Sequence, residues 1–159
     1  MKIKKSQIKN LFMVLDRTKY EMPISSIFRH MATKNVSVLL EQLKSLETSF
    51  APPMEYQEYL NKRNILITEI NPSAATKNPV PNTKEQEEKI KEELGKLNSE
   101  YADILQKVIN LNTAKEESMK EEVDLPLLQI HIKDMPTIAK DTENHWVVWN
   151  VLETFVKDE

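Results

Sequence analysis

The sequence predicts a mainly α-helical protein, a helical hairpin or bundle built on one long heptad-patterned helix, with a small β element near the C-terminus. Three observations lead there. Apolar residues recur at three- and four-residue intervals through most of the chain. Ile90, Leu94, Leu97, Tyr101, Ile104, Val108 and Leu111 are spaced 4, 3, 4, 3, 4, 3, a heptad seam sustained over three repeats. Only around residues 128–133 does an alternation of period two stand out. At 159 residues and 18.5 kDa, with 40% hydrophobic and 30% charged residues, the chain reads as a single domain over 1–159. A domain of this size buries about two thirds of its unfolded surface.

Ser6 is placed to cap a first helix, since Ile8, Leu11, Phe12 and Leu15 follow at i, i+3, i+4 and i+7, and this helix ends near Tyr20. Pro23 suits the first turn of a second helix, where its missing N–H costs nothing, and the apolar stripe from Ile24 to Phe50 continues it. The helix can run unbroken to Phe50, and the β-branched stretch from Asn35 to Val38 is its weak point, the place for a kink or break if there is one. Pro52 and Pro53 end it, and a third helix follows from Met54 to Ile70 with Tyr56, Tyr59, Leu60, Ile67 and Ile70 on one side. Residues 71–82, NPSAATKNPVPN, form an internal Pro-rich loop.

Thr83 and Gln86 make a capping-box pattern ahead of a helix that runs to about Glu121 and carries the seam. Gly95 beside the seam weakens this helix by about 1 kcal/mol relative to alanine, and a residue so small lets another helix approach closely. After Pro126, Leu128, Ile130 and Ile132 alternate with Gln129, His131 and Lys133, which predicts a short strand whose partner is the chain near Met1 to Lys5 or another subunit. Asn144 then caps a last helix carrying Val148, Trp149, Leu152, Phe155 and Val156, with Trp149 in the core and Trp146 either in the core or an anchor for a partner.

Composition narrows function. Gly95 is the one glycine in the chain, so both the phosphate-cradling loop and the dinucleotide fingerprint are excluded, and no cofactor is implied. Zero cysteines remove disulfides, thiolate zinc sites and cysteine nucleophiles. The lysine-rich start lacks the apolar run of a secretory signal, and no stretch approaches the ~18 apolar residues of a membrane span, so a cytoplasmic protein is expected. The net charge of -3 is uneven: residues 1–44 hold nine Lys and Arg against three acidic residues, net +6. A basic first third beside an acidic remainder suggests self-complementary assembly or an anionic partner.

His131, Asp134, Glu143 and His145 are candidate metal donors, but they lack the closely spaced ligand pair of metal motifs and are read as surface residues. Glu116, Glu117, Glu121 and Glu122 are read as a solvated helix end rather than an acid–base pair, and Ser25, Ser26, Ser37 and Ser45 have no nucleophile elbow. The candidate ligand site is the basic cluster Arg17, Lys19, Tyr20, Arg29, His30 and Lys34. Arginine there supplies bidentate contacts to a phosphate and tyrosine a stacking face for a base. The competing reading is a solvated face that complements the acidic C-terminal half. Overall acidity and the lack of a recognition motif argue against duplex DNA.

The opening pattern SQIKNLFMVLDRTKYEMPISSIFRHMATKNVSVLLEQLKSLE and the closing strand and helix, LLQIHI and HWVVWNVLETFV, resemble small uncharacterised proteins of tailed bacteriophages. In that family a short helix leads through a turn into a long helix with a central asparagine. The resemblance spans roughly residues 6–47 and 98–157, and 52–82 departs from it as an insertion. It implies a phage or prophage origin and assigns no catalytic residue. Two functions are therefore expected in competition. One is a non-enzymatic accessory protein, acting as a homo-oligomer that sequesters a host defence protein or an anionic nucleotide signal. The other is a structural or assembly component of the phage particle.

Overall fold

A computed structural model describes residues 1–21, 24–77, 79–136 and 145–157, and among them the chain is mainly helical, with six α-helices and one two-stranded sheet. The chain divides into two compact units, Met1–Ser49 with Glu116–Glu159, and Phe50–Lys115. Each has its own apolar cluster.

The first unit is built on α1 (Ile8–Glu21), α2 (Ser26–Ser49) and α6 (His145–Glu153), with β1 (Lys2–Lys4) and β2 (Glu122–Asp124) beside them. α1 packs on both α2 and α6. The i, i+3, i+7 positions of α1 supply Ile8, Leu11 and Leu15; α2 supplies Phe28, Met31, Ala32, Val36 and Leu39; and the C-terminal segment adds Val151, Leu152 and Phe155. Each fully buried side chain of this size stabilises the fold by about 1.5–3 kcal/mol relative to exposure. The expected start of α2 at Pro23 moves: Pro23 lies outside the described residues, and the Ser25 hydroxyl accepts from the Phe28 N–H (3.1 Å), which caps the helix there. The stretch 35–38 is continuous helix. α2 runs unbroken to Ser49, and Asn35 within that stretch is turned into the core, where its side chain bonds the backbone of Leu128 rather than that of its own helix.

The β element also differs from expectation. The N-terminal segment does pair with the C-terminal part of the chain, but through Glu122–Asp124, in antiparallel register Lys2↔Asp124, Ile3↔Val123 and Lys4↔Glu122. Residues 128–132 form no ladder with it. Ile130 alone bridges Val156 in parallel, and Ile132–Asp134 closes into a 3-10 turn. The inward residues here are Leu127 and Ile130, while Leu128 and Ile132 are 41% and 60% exposed, so the alternation does not mark a buried face. Besides that bridge, the segment is held by Asn35, fully buried in α2. Its Nδ2 donates to the Leu128 carbonyl (2.9 Å) and its Oδ1 accepts from the Leu128 N–H (2.8 Å), a side-chain amide standing in for a neighbouring strand. In α6, Leu152 is buried as expected, whereas Trp149 is only half-buried; Asn144 lies outside the described residues, as does the side chain of Trp146.

The second unit contains α3 (Met54–Ile70) and α4 (Lys84–Glu100), packed as a hairpin, and most of α5 (Ala102–Ser118). The loop between α3 and α4 is organised by Asn71. Its Oδ1 caps the Pro72–Ala75 turn at Ser73, and its Nδ2 reaches the Val80 carbonyl (3.1 Å) and Asn82 (2.7 Å). The capping box at Thr83 and Gln86 forms in both directions. The single helix expected over 83–121 is interrupted at Tyr101, whose backbone leaves the helical region (φ -104, ψ 18). The Tyr101 ring is anchored against Tyr59, with centroids 5.6 Å apart, and its hydroxyl donates to Glu58 (2.9 Å). The break thus falls at a packed aromatic and not at Gly95.

Candidate functional site

The six residues of the basic cluster lie on α1 and the first half of α2. On α1, Ile8, Leu11, Leu15 and Thr18 are buried and define the inward face. Arg17 falls on the opposite face and is exposed, and Tyr20 is 79% exposed. Lys19 sits on the inward flank with its ammonium 2.7 Å from Asp16 and 4.7 Å from the Tyr20 ring centroid. The hydrogen bond to Asp16 raises its pKa above the ordinary lysine value, against a smaller desolvation that lowers it. On α2, Phe28, Met31, Ala32, Asn35, Val36 and Leu39 face inward, which leaves His30 and Lys34 outward, one turn apart, and Arg29 on the flank.

The fold brings together Asp16, Lys19 and Tyr20 on α1, while His30 and Lys34 share the outward side of α2. Elsewhere the basic N-terminal segment meets the acidic C-terminal one directly. Lys5 Nζ lies 2.6 Å from Glu121 and 3.0 Å from the Ser118 hydroxyl, and the Met1 ammonium lies 2.8 Å from Asp124 and 2.7 Å from the Leu125 carbonyl. The ammonium, through its hydrogen bond first and its charge second, lowers the Asp124 pKa.

Among the described residues no group of three or more His, Asp or Glu is arranged to hold a metal ion, and Glu143 and the His145 side chain lie outside them. No described helix is long and apolar enough to cross a membrane.

Two open surfaces lie on the second unit. One, between α3 and α4, is lined by Lys62, Ile65, Leu66, Ile70, Lys89 and Glu93 among others. Lys62 there is tied up: it reaches Glu100 (3.0 Å) and Glu58 (3.5 Å), and the Tyr101 side chain first, then Glu100, holds its pKa above the ordinary lysine range. The other is a shallow groove along α4 formed by Glu87, Ile90, Lys91, Leu94, Gly95 and Asn98, with Asn82 at its end. A methyl group added at Gly95 would meet nothing within 4 Å, so the close helix approach expected of this glycine is not made among the described residues. The heptad spacing pointed to Ile90 and Leu94 as apolar positions; which side of α4 remained open depends on where α3 packs, and spacing alone does not carry that.

Comparison with family models, with curated proteins and with solved structures finds no match to this chain.

Proposed function

We propose that this protein is a non-enzymatic phage accessory protein that works by protein–protein contact, as a self-associated helical protein that sequesters a host protein. One observation carries the reading. No residue of α5 is buried, although Ile104, Leu105, Val108, Ile109 and Leu111 lie along it and Ile109 is 56% exposed. The buried cluster of its unit is correspondingly small, with Tyr59, Leu97 and Tyr101 as its buried members. Helices of this length gain most of their stability from packing an apolar face, and small units with thin cores depend on association. The phage setting is supported by the sequence resemblance at the two ends of the chain.

Sequestration of a protein is favoured over capture of an anionic nucleotide because Lys19, within the basic cluster, is already paired with Asp16. Light scattering at micromolar concentration tests self-association, and a monomer mass refutes it. Calorimetric titration with mono-, di- and cyclic nucleotides, on the unmodified protein and on Arg29→Ala, tests the choice of target. Heat with the former that is lost in the latter would return the basic cluster to the role of ligand site.

A further inference from the structure

We infer that α4 and α5 are the two halves of one helix, 84–118, which α3 holds interrupted at residue 101, so that releasing Tyr101 closes them into a single rod. The inference concerns these three helices alone and stands apart from the self-association proposed above.

The chain carries no local signal for a break at this point. Between Lys84 and Ser118 there is no proline. The residue that ends α4 and precedes α5 is Tyr101, neither the glycine that closes helices nor the serine, threonine or asparagine that starts them. The seam passes through Tyr101 in unchanged 4, 3 steps, and a continuous helix would carry its seven members on one stripe about 32 Å long. Helical bonds also reach the break from both sides. The Tyr101 N–H donates to the Leu97 carbonyl (3.1 Å), and the Tyr101 carbonyl accepts from the Leu105 N–H (2.9 Å). The Ser99 hydroxyl bonds the Gly95 carbonyl (2.9 Å), yet Ser37 makes the same kind of bond to Thr33 within the unbroken α2, so that bond is not the cause.

The cause lies across the hairpin. Glu58, Tyr59 and Lys62 of α3 together grip residues 98–101. Glu58 accepts from the Tyr101 hydroxyl (2.9 Å), and the Tyr59 ring lies 5.6 Å from the Tyr101 ring while its hydroxyl donates to Asn98 (2.9 Å). The Lys62 ammonium stands 4.9 Å from the Tyr101 ring centroid and 3.0 Å from Glu100. Local sequence that favours continuity is thus opposed by a tertiary contact at the one place where continuity fails. In the hairpin, α3 shares its apolar cluster with Leu94, Leu97, Tyr101 and Ile104 from the middle of the seam. In the rod those four would align with Ile90, Val108 and Leu111. The latch therefore sets how much of the seam is presented as one surface.

Because α5 starts at Ala102, the N–H groups of residues 102–104 lack a helical acceptor in the latched state and gain one in the rod. Hydrogen exchange followed residue by residue by NMR reads that difference. Tyr101→Leu keeps an apolar seam residue but removes the hydroxyl and the ring that α3 holds, and it is expected to slow exchange at 102–104 at least about 10-fold. The double variant Glu58→Ala, Lys62→Ala changes two exposed positions on α3, leaves 84–118 untouched, and is expected to slow the same amides by a smaller factor. It cannot act through the helix's own propensity, so it decides where the two variants disagree or where Tyr101→Leu loses its helix by circular dichroism. The inference is overturned if residues 102–104 are already as protected as their neighbours in the unmodified protein, or if they stay fast in the double variant. It is overturned equally if that variant loses protection throughout 84–118, which would make α3 the support of this helix and not its latch.

Discussion

Replacing Asn35 by alanine tests whether a side-chain amide substitutes for a strand in the first unit. Asn35 is fully buried, and the substitution would remove both bonds to Leu128 at once, along with a weaker contact from Nδ2 to the Met31 sulfur (3.1 Å). Each net hydrogen bond is worth about 0.5–1.5 kcal/mol, and a backbone group left without a partner in a part-buried setting costs towards the upper end. The loss expected in urea unfolding is therefore about 2–3 kcal/mol, and the Leu128 amide proton is expected to exchange much faster than that of Ile130, which keeps its own bond to the Phe155 carbonyl (2.9 Å). Asn35→Asp is expected to be worse at neutral pH than at acid pH. A buried carboxyl has its folded pKa raised, so the stability it retains below the unfolded value is lost as pH rises through the folded one. A loss under 0.5 kcal/mol for Asn35→Ala, or unchanged exchange at Leu128, would refute the account.

Three further outcomes are expected. The folded pKa of Asp124 is depressed, so its contribution is present above the unfolded carboxylate value and is lost as pH falls through the folded one; Asp124→Asn should flatten the acid limb of the stability profile, read by thermal melts from pH 7 to pH 2. Gly95→Ala, with open space around the new methyl, should raise helix stability by about 1 kcal/mol in dilute protein, seen as a higher melting temperature. Tyr101→Phe removes the donor to Glu58 and the group that most favours charged Lys62, and should cost about 0.5–1.5 kcal/mol in urea unfolding with no loss of helix by circular dichroism.

Local signals were readable where local chemistry decides. The Pro52–Pro53 pair and the Asn71–Pro72 dipeptide bracket α3, whose bounds match the expected Met54–Ile70, and the Thr83/Gln86 capping box starts α4 where predicted. The rest was settled by long-range packing. β2 is three residues long, too short for a periodic signature, and is defined by β1 rather than by its own sequence. The interruption at Tyr101 leaves the 4, 3 spacing intact on both sides, so periodicity passes over it. For the basic cluster, sequence gave charge and spacing, but which faces of α1 and α2 meet the core decides whether the charges converge, and that needs α6 as well.

The order in which the chain is made bears on how it folds. Residues 50–115 are contiguous, and the α3–α4 hairpin within them needs only contacts between near neighbours in sequence. The first unit instead joins Lys2 to Asp124 and covers α1 with α6. At about 5–20 residues per second, the first 49 residues emerge and wait some 3–13 s for the intervening stretch alone, with the apolar faces of α1 and α2 formed but half-covered. The later segment can then fold before the earlier one is complete. A chain released early, before β2 and α6 exist, would carry the exposed α1–α2 pair as its sticky end.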